Sequence, residues 1–134
     1  INFFVDGALS GETLTVYEPG SQARNFVHVK DVARVYVRSA EQLLNQLAAD
    51  VTGVETYEIA GREDMSVMSV AETVQEVAEA ELGTTVGVEL VENPRGDETM
   101  VEEFGVDISV ADTVLGWEPQ QSIRNSVREL LRKA

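Results

Sequence analysis

Residues 20–34 read GSQARNFVHVKDVAR, and the parsing of this stretch orders the rest of the chain. Gly20 and Ser21 complete a turn that begins at Glu18-Pro19. Phe26-Val27-His28-Val29 has the aromatic and β-branched make-up of a brief strand. Asp31 stands where a helix over roughly 31–49 would start or be capped. Turn, strand and helix therefore follow one another within a few residues, the mark of an α/β alternation. Arg24 is the only Lys or Arg in the first 29 residues of a chain whose formal charge is -14. Such a solitary cation either pairs with a nearby carboxylate or is aimed at an anion from outside.

Upstream, residues 3–10 (FFVDGALS) read as the end of a short helix closed by Gly11. Residues 13–17 (TLTVY) are rich in strand formers. Beyond Asp31, the residues Val32, Val35, Tyr36, Ala40, Leu43, Leu44 and Leu47 recur at helical spacing, an apolar stripe expected to face a core. Residues 55–60 (ETYEIA) read as a strand ending at Gly61. A capping box, Ser69-Val70-Ala71-Glu72, then predicts a helix over roughly 70–82 that stops at Gly83. Residues 85–91 alternate as a half-buried strand, and 93–98 (NPRGDE) is the most turn-rich segment. A short helix over 109–115 is expected to end at Gly116, ahead of Trp117 and Pro119, which read as packing. Ser122 caps a last helix, 123–133, whose Arg128, Arg132 and Lys133 suit its C-terminal dipole. No internal repeat or low-complexity linker divides the chain, so residues 1–134 are expected to form one domain. The class is α/β, with short strands and about four to five helices, as for a small lobe attached to something larger.

Composition narrows the chemistry. There is no cysteine and a single histidine, His28, which excludes disulfides, thiolate metal sites, a Cys nucleophile and any multi-His centre. No metal is expected, and a lone histidine reads first as structure. The 24 acidic residues against 10 basic ones argue against nucleic acid as a partner. No stretch approaches the roughly 20 apolar residues of a membrane span, and no basic, apolar segment of secretory type opens the chain. A soluble, cytoplasmic protein is the expectation. The chain opens at Ile1 rather than Met, which leads us to expect an excised or processed piece. The acidic surplus repels itself unless salt screens it, so a halophilic protein from a salt-rich cytoplasm is a further expectation, beside that of an acidic protein with a solvated face.

Several catalytic signatures are missing. No G-x-G-x-x-G or G-x-x-x-x-G-K-[ST] loop follows a strand, and there is no G-x-S-x-G elbow. With 24 acids a carboxylate pair carries no information, and the acidic runs read as solvated faces. What stands out is two isolated cations in turn-rich segments, Arg24 and Arg95, the latter alone between residues 63 and 123. A guanidinium offers a planar fork suited to phosphate. Spacing alone favours surface ion pairing with a neighbouring Glu or Asp over ligand binding.

The run Gly7-Ala8-Leu9-Ser10-Gly11, Leu14-Thr15-Val16-Tyr17 and Gly20-Ser21-Gln22-x-Arg24-Asn25-Phe26-Val27-His28-Val29-x-Asp31-Val32-Ala33 resembles the C-terminal substrate lobe of extended short-chain dehydrogenases/reductases. These are the NAD-dependent nucleotide-sugar epimerases and dehydratases, of the UDP-glucose 4-epimerase type. The similarity continues through Tyr57-Glu58-Ile59-Ala60-Gly61, Met65-Ser66-Val67, Arg95-Gly96-Asp97 and Leu115-Gly116-Trp117-Glu118-Pro119. The resemblance implies that Arg24 contacts a substrate diphosphate. It implies that the backbone at Thr15 and the ring of Tyr17 lie against the base. It implies a second diphosphate contact at Arg95 and a ribose contact at Asp97, although Arg95 adjoins Gly96 where the family leaves one residue between. Asn25 stands where Asp is commoner, and Glu18 where Gly is.

The family's glycine-rich NAD loop and its Tyr-x-x-x-Lys pair belong to an N-terminal Rossmann domain that these residues lack. No tyrosine here is followed four residues later by lysine. The resemblance therefore implies a substrate-binding portion of a longer enzyme. It would hold a UDP- or dTDP-type sugar over NAD bound by the missing domain, with no cofactor and no catalytic residue of its own, and the full-length protein would be a homodimer. The alternatives are a non-enzymatic acidic module for a cationic protein partner, and a lobe that associates with itself through uncovered apolar surface.

Overall fold

A computed structural model describes residues 1–96, 101 and 105–133 of the chain. Its centre is the strand β1 (Leu14–Tyr17), where alternation sorts the side chains. Leu14 and Val16 are buried, whereas Thr15 is half-buried and Tyr17 exposed. Strand β4 (Val88–Val91) lies parallel to β1, with Leu14 opposite Val88 and Tyr17 opposite Val91. Three helices cover the buried side: α1 (Asn2–Ser10), α3 (Val67–Leu82) and α5 (Ile123–Lys133). They bring Phe4 and Val5, Val70 and Val74, and Val127 and Leu131 onto Leu14 and Val16. A second pair of strands, β2 (Ala23–Asn25) and β3 (Asp64–Ser66), runs antiparallel with Arg24 opposite Met65. The long α2 (Val29–Ala48) and the short α4 (Ser109–Leu115) pack together at the other end of the chain. There Ala111, Leu115 and the fully buried Trp117 form a smaller core with Val35, Tyr57 and Ile59. The class is α/β with five helices and few short strands.

The punctuation read from sequence is present. Gly11, Gly83 and Gly116 close their helices in the left-handed conformation. The last helix occupies the expected residues, and the Ser122 hydroxyl accepts from the Asn125 N–H at 3.2 Å.

Four expectations need correction. The strand expected at 26–29 is at Ala23–Asn25 instead, because that segment finds the ladder partner β3 while Phe26-Val27-His28 leads directly into α2. Asp31 does not cap α2. His28 does, in an extended conformation with Nδ1 accepting from the Lys30 N–H at 3.1 Å. Helix α3 starts three residues before the expected 70, since Ser66 rather than Ser69 caps it. Residues 55–60 belong to no ladder among the described residues; no described strand lies beside the segment, and Tyr57 and Ile59 pack on the smaller core instead. Of the expected strand 85–91, Val88–Val91 is paired.

The largest difference concerns the α2 stripe. Val32 and Val35 are half-buried, but Tyr36 is 74% exposed, Leu44 66% and Leu47 59%. Asp31 is the only α2 residue classed as buried. Its carboxylate accepts from Arg34 at 2.7 Å and from the Gln120 and Gln121 N–H groups at 3.1 and 3.0 Å, and its carbonyl takes the Trp117 indole N–H at 2.9 Å. These polar contacts hold the N-terminal end of the helix, next to Val35 on the smaller core.

Candidate functional site

The outward face of β1 and the connection that follows it create the most informative cavity. Tyr17 ends β1, and the chain turns at Glu18-Pro19 through Gly20, whose φ of +71° favours glycine and where a Cβ would press on Val16 and Leu90 at 3.1 Å. The first backbone N–H groups of α3 hold the returning segment: Met68 donates to the Gly20 carbonyl at 2.9 Å and Val67 to that of Gln22 at 3.3 Å. Ala23 in β2 donates to the carbonyl of Val101 at 2.7 Å. Asn25 fixes the far end of β2. Its amide oxygen accepts from the Gly61 N–H at 2.6 Å, and its nitrogen donates to the Gly61 carbonyl at 3.3 Å and to Asp64 at 2.8 Å. A Cβ on Gly61 would lie 1.7 Å from the Phe26 carbonyl oxygen, so only glycine permits this approach. An Asp at position 25 could accept from Gly61 but not donate back.

Thus anchored, Thr15, Tyr17, Gln22 and Arg24 line a cavity of about 240 Å³, floored by Phe3, Phe4 and Val67. Arg24 is exposed. Its Nη1 donates to the carbonyl of Ala23 at 2.8 Å, and among the described residues it meets no carboxylate. Seven of the ten Lys and Arg side chains form ion pairs among the described residues, and Arg24, Arg62 and Arg95 do not; of these three, Arg24 alone lines this cavity. Three of the residues singled out in the sequence, Thr15, Tyr17 and Arg24, share this cavity. Arg95 does not line it. It lies exposed in the turn after β4, where its N–H donates to the Asn93 side chain at 3.0 Å. Because Tyr17 pairs with Val91, the connections after β1 and β4 leave the sheet at the same, carboxyl end, the end at which open α/β sheets bind ligands. Asp97 lies outside the described residues.

Sequence reasoning gave Gln22 no role, yet it stands in the cavity. The available signal was its position two residues before Arg24, which in extended chain puts both side chains on one side. A larger cavity, about 430 Å³, opens between Phe26, His28 and α5. Its Lys30 and Lys133 are both tied to Glu129, at 2.8 and 3.7 Å, so it offers no free cation. Lys30 is the main reason why the Glu129 carboxyl titrates below its ordinary range. His28 is spent on the α2 cap. A dinucleotide would need a strand, a glycine-rich turn and a helix in succession. Among the described residues β3 runs straight into α3, and β2 passes into α2 through Phe26-Val27-His28, neither with a glycine-rich turn. No His, Asp or Glu cluster among them fits a metal, and no described helix is long and apolar enough to cross a membrane.

Residues 2–130 match the family model described as GDP-mannose 4,6 dehydratase. The chain belongs to that family. As a GDP-mannose 4,6 dehydratase family member it falls among the extended short-chain epimerases and dehydratases, as the long motif around Arg24 implies. UDP-glucuronic acid decarboxylase 6 of Arabidopsis thaliana is 33% identical over 127 residues, which are 95% of this chain and 32% of that protein. Two solved structures share the fold. UDP-glucose 4-epimerase from Thermotoga maritima, with UDP-glucose, superposes with a TM-score of 0.72 at 24% identity over 97% of this chain and 38% of its own. UDP-N-acetylglucosamine 4-epimerase from Methanobrevibacter ruminantium M1, in complex with UDP-N-acetylmuramic acid, gives 0.67 at 27% identity over 97% and 37%. The chain spans about a third of the length of the curated relatives it matches.

Proposed function

We propose that these residues are the substrate-binding part of an NAD-dependent nucleotide-sugar epimerase or dehydratase, and that they bind a UDP- or dTDP-type sugar. The observation that carries this reading is the Arg24 guanidinium, which meets no carboxylate among the described residues, sharing one cavity with Thr15 and Tyr17. Arg24 takes the diphosphate in its fork of donors. The exposed ring of Tyr17 offers a flat face to the base, and Phe3 and Phe4 supply apolar contact. Arg95, leaving the same end of the sheet, adds a second charge, and Asp97 reaches the ribose. Each of these contacts positions the sugar; none performs redox chemistry.

The redox step belongs to residues beyond these 134, in a Rossmann domain that binds NAD. The surface supports a missing neighbour. The chain exposes 8580 Å², against about 6,900 Å² for a compact monomer of 14.6 kDa. The uncovered stripe of α2 and the unpaired segment 55–60 lie where such a domain would add a strand and an apolar face. In the whole protein these residues act as one substrate lobe of a cytoplasmic homodimer, and the charge of -14 adapts it to high salt. An acidic interaction module gives no account of a free arginine held in a cavity.

The test is a thermal shift titration. UDP or dTDP at about ten times its Kd raises the melting temperature by about 5 °C, and Arg24→Ala abolishes the rise while melting like the wild type. A rise that survives Arg24→Ala would remove the basis of the assignment.

A further inference from the structure

Strand β2 is only three residues long, and Arg24 stands at its middle. Its partner β3 is equally short, so the ladder supplies few bonds of its own. Both ends of β2 are tied down by further contacts. At one end the Ala23 N–H donates to the Val101 carbonyl at 2.7 Å. At the other, the Asn25 side chain accepts from the Gly61 N–H at 2.6 Å and donates to the Gly61 carbonyl at 3.3 Å and to Asp64 at 2.8 Å. Asp64 is also the residue directly opposite Asn25 in the ladder. Only a carboxamide meets all three demands, since a carboxylate has no proton to donate and an alkyl group neither donates nor accepts. An acid at position 25 would in addition face the Asp64 carboxylate across the strands, where like charges repel. Asn25 does not line the cavity that Arg24 lines, because alternation turns the two side chains to opposite faces.

We propose that Asn25 is a positioning residue for Arg24, and that positions 25 and 64 form a matched pair in which one carboxylate is tolerated and two are not. This rests on the reading of Arg24 as the diphosphate contact. Asn25 itself does not touch the anion. It clamps the end of β2 to the Gly61 backbone, so the main chain that carries Arg24 is set before the anion arrives, and the guanidinium fork binds without that segment having to be ordered. Loss of the clamp leaves Arg24 present and charged but frees its backbone, and affinity falls by the cost of ordering it.

Calorimetric titration with UDP, beside a melting curve for each variant, tests this. Asn25→Asp is expected to bind UDP about tenfold more weakly than wild type, and Asn25→Ala, which adds no charge, about fivefold more weakly. Asp64→Asn alone is expected to stay within about twofold of wild type, because an amide oxygen at position 64 still accepts from Asn25. In the double variant Asn25→Asp/Asp64→Asn, the amide at 64 donates to the acid at 25 and the formal charge returns to that of the wild type. Its UDP affinity is expected to recover to within about threefold of wild type. A role confined to holding the fold would lower the melting temperature of the Asn25 variants and leave UDP affinity unchanged. If Asn25→Asp and Asn25→Ala bind UDP as the wild type does while Arg24→Ala loses binding, the positioning role is overturned and the diphosphate reading stands. If the double variant binds no better than Asn25→Asp, the matched pair is overturned. Should Asn25→Asp fail to fold, Asn25→Ala decides the positioning role without the added charge. If wild type itself binds no UDP, the diphosphate reading fails and this assignment with it.

Discussion

Helices α2 and α3 are both amphipathic, of 20 and 16 residues, and they have opposite fates. Helix α3 buries Val70, Ala71, Val74, Val77 and Ala78 against α1, α5 and β1. Helix α2 carries a stripe at least as regular and leaves most of it open, with Tyr36 and Leu44 exposed. Apart from Val35 on the smaller core, its hold on the rest of the chain is polar: Asp31 on the 120–121 backbone, Lys30 on Glu129, and Arg34 on the Glu118 carbonyl at 2.7 Å. Periodicity states that a face needs a cover and is silent on which element supplies it. For α3 the cover lies within the chain. For α2 it does not lie among the described residues, which is why the stripe supports the idea of a larger protein.

The sharpest way to break this contrast is to cut the polar hold. Asp31→Ala strands two backbone N–H groups and Arg34, and is expected to cost about 3–5 kcal/mol, measured by urea unfolding; a cost under 1 kcal/mol would mean that α2 is held by its apolar face after all. Val74→Ala in α3 is expected to cost about 2–3 kcal/mol through the lost packing and the cavity left behind. Leu44→Gln in the middle of the α2 stripe should stay within about 0.5 kcal/mol, and a core-sized loss there would erase the difference between the helices. Native-state hydrogen exchange sharpens it further, with amides of residues 40–48 exchanging faster than those of 70–80. The smallest effect is on pH dependence. Lys30, and secondarily Lys133, hold the Glu129 carboxyl below its ordinary range. A depressed folded pKa stabilises above the unfolded value of about 4.3 and is lost as pH falls through the folded one. Glu129→Gln should therefore flatten the acid limb of stability below about pH 4.3 and leave neutral stability nearly unchanged.

The legible parts of the sequence were those decided within a few residues. The glycines at 11, 83 and 116 end helices because the left-handed cap is a local preference, and Ser122 opens the last helix for a local reason too. What was misread depended on partners distant in sequence. Ala23–Asn25 became a strand because Asp64–Ser66 lies beside it, while the better strand former, residues 55–60, found no neighbour. Asp31 looked like a cap because its contacts at Gln120 and Gln121 could not be seen. In the candidate site, Thr15, Tyr17 and Arg24 were legible through a family motif. Gln22 belongs to the same motif, but its burial and its unpartnered oxygen exist only once the surrounding atoms are placed.

The sequence by itself determined the resemblance to the family, most specifically in GSQARNFVHVKDVAR, the turn after β1 and the presence of one cation where few occur. These follow from residue identity and local backbone preference. The tertiary structure alone decided that Arg24 stands free of carboxylates among the described residues, that it shares a cavity with Thr15, Tyr17 and a buried Gln22, and that the α2 stripe goes uncovered. Those are matters of which surfaces meet, and burial and pairing are properties of the assembled chain rather than of any one segment.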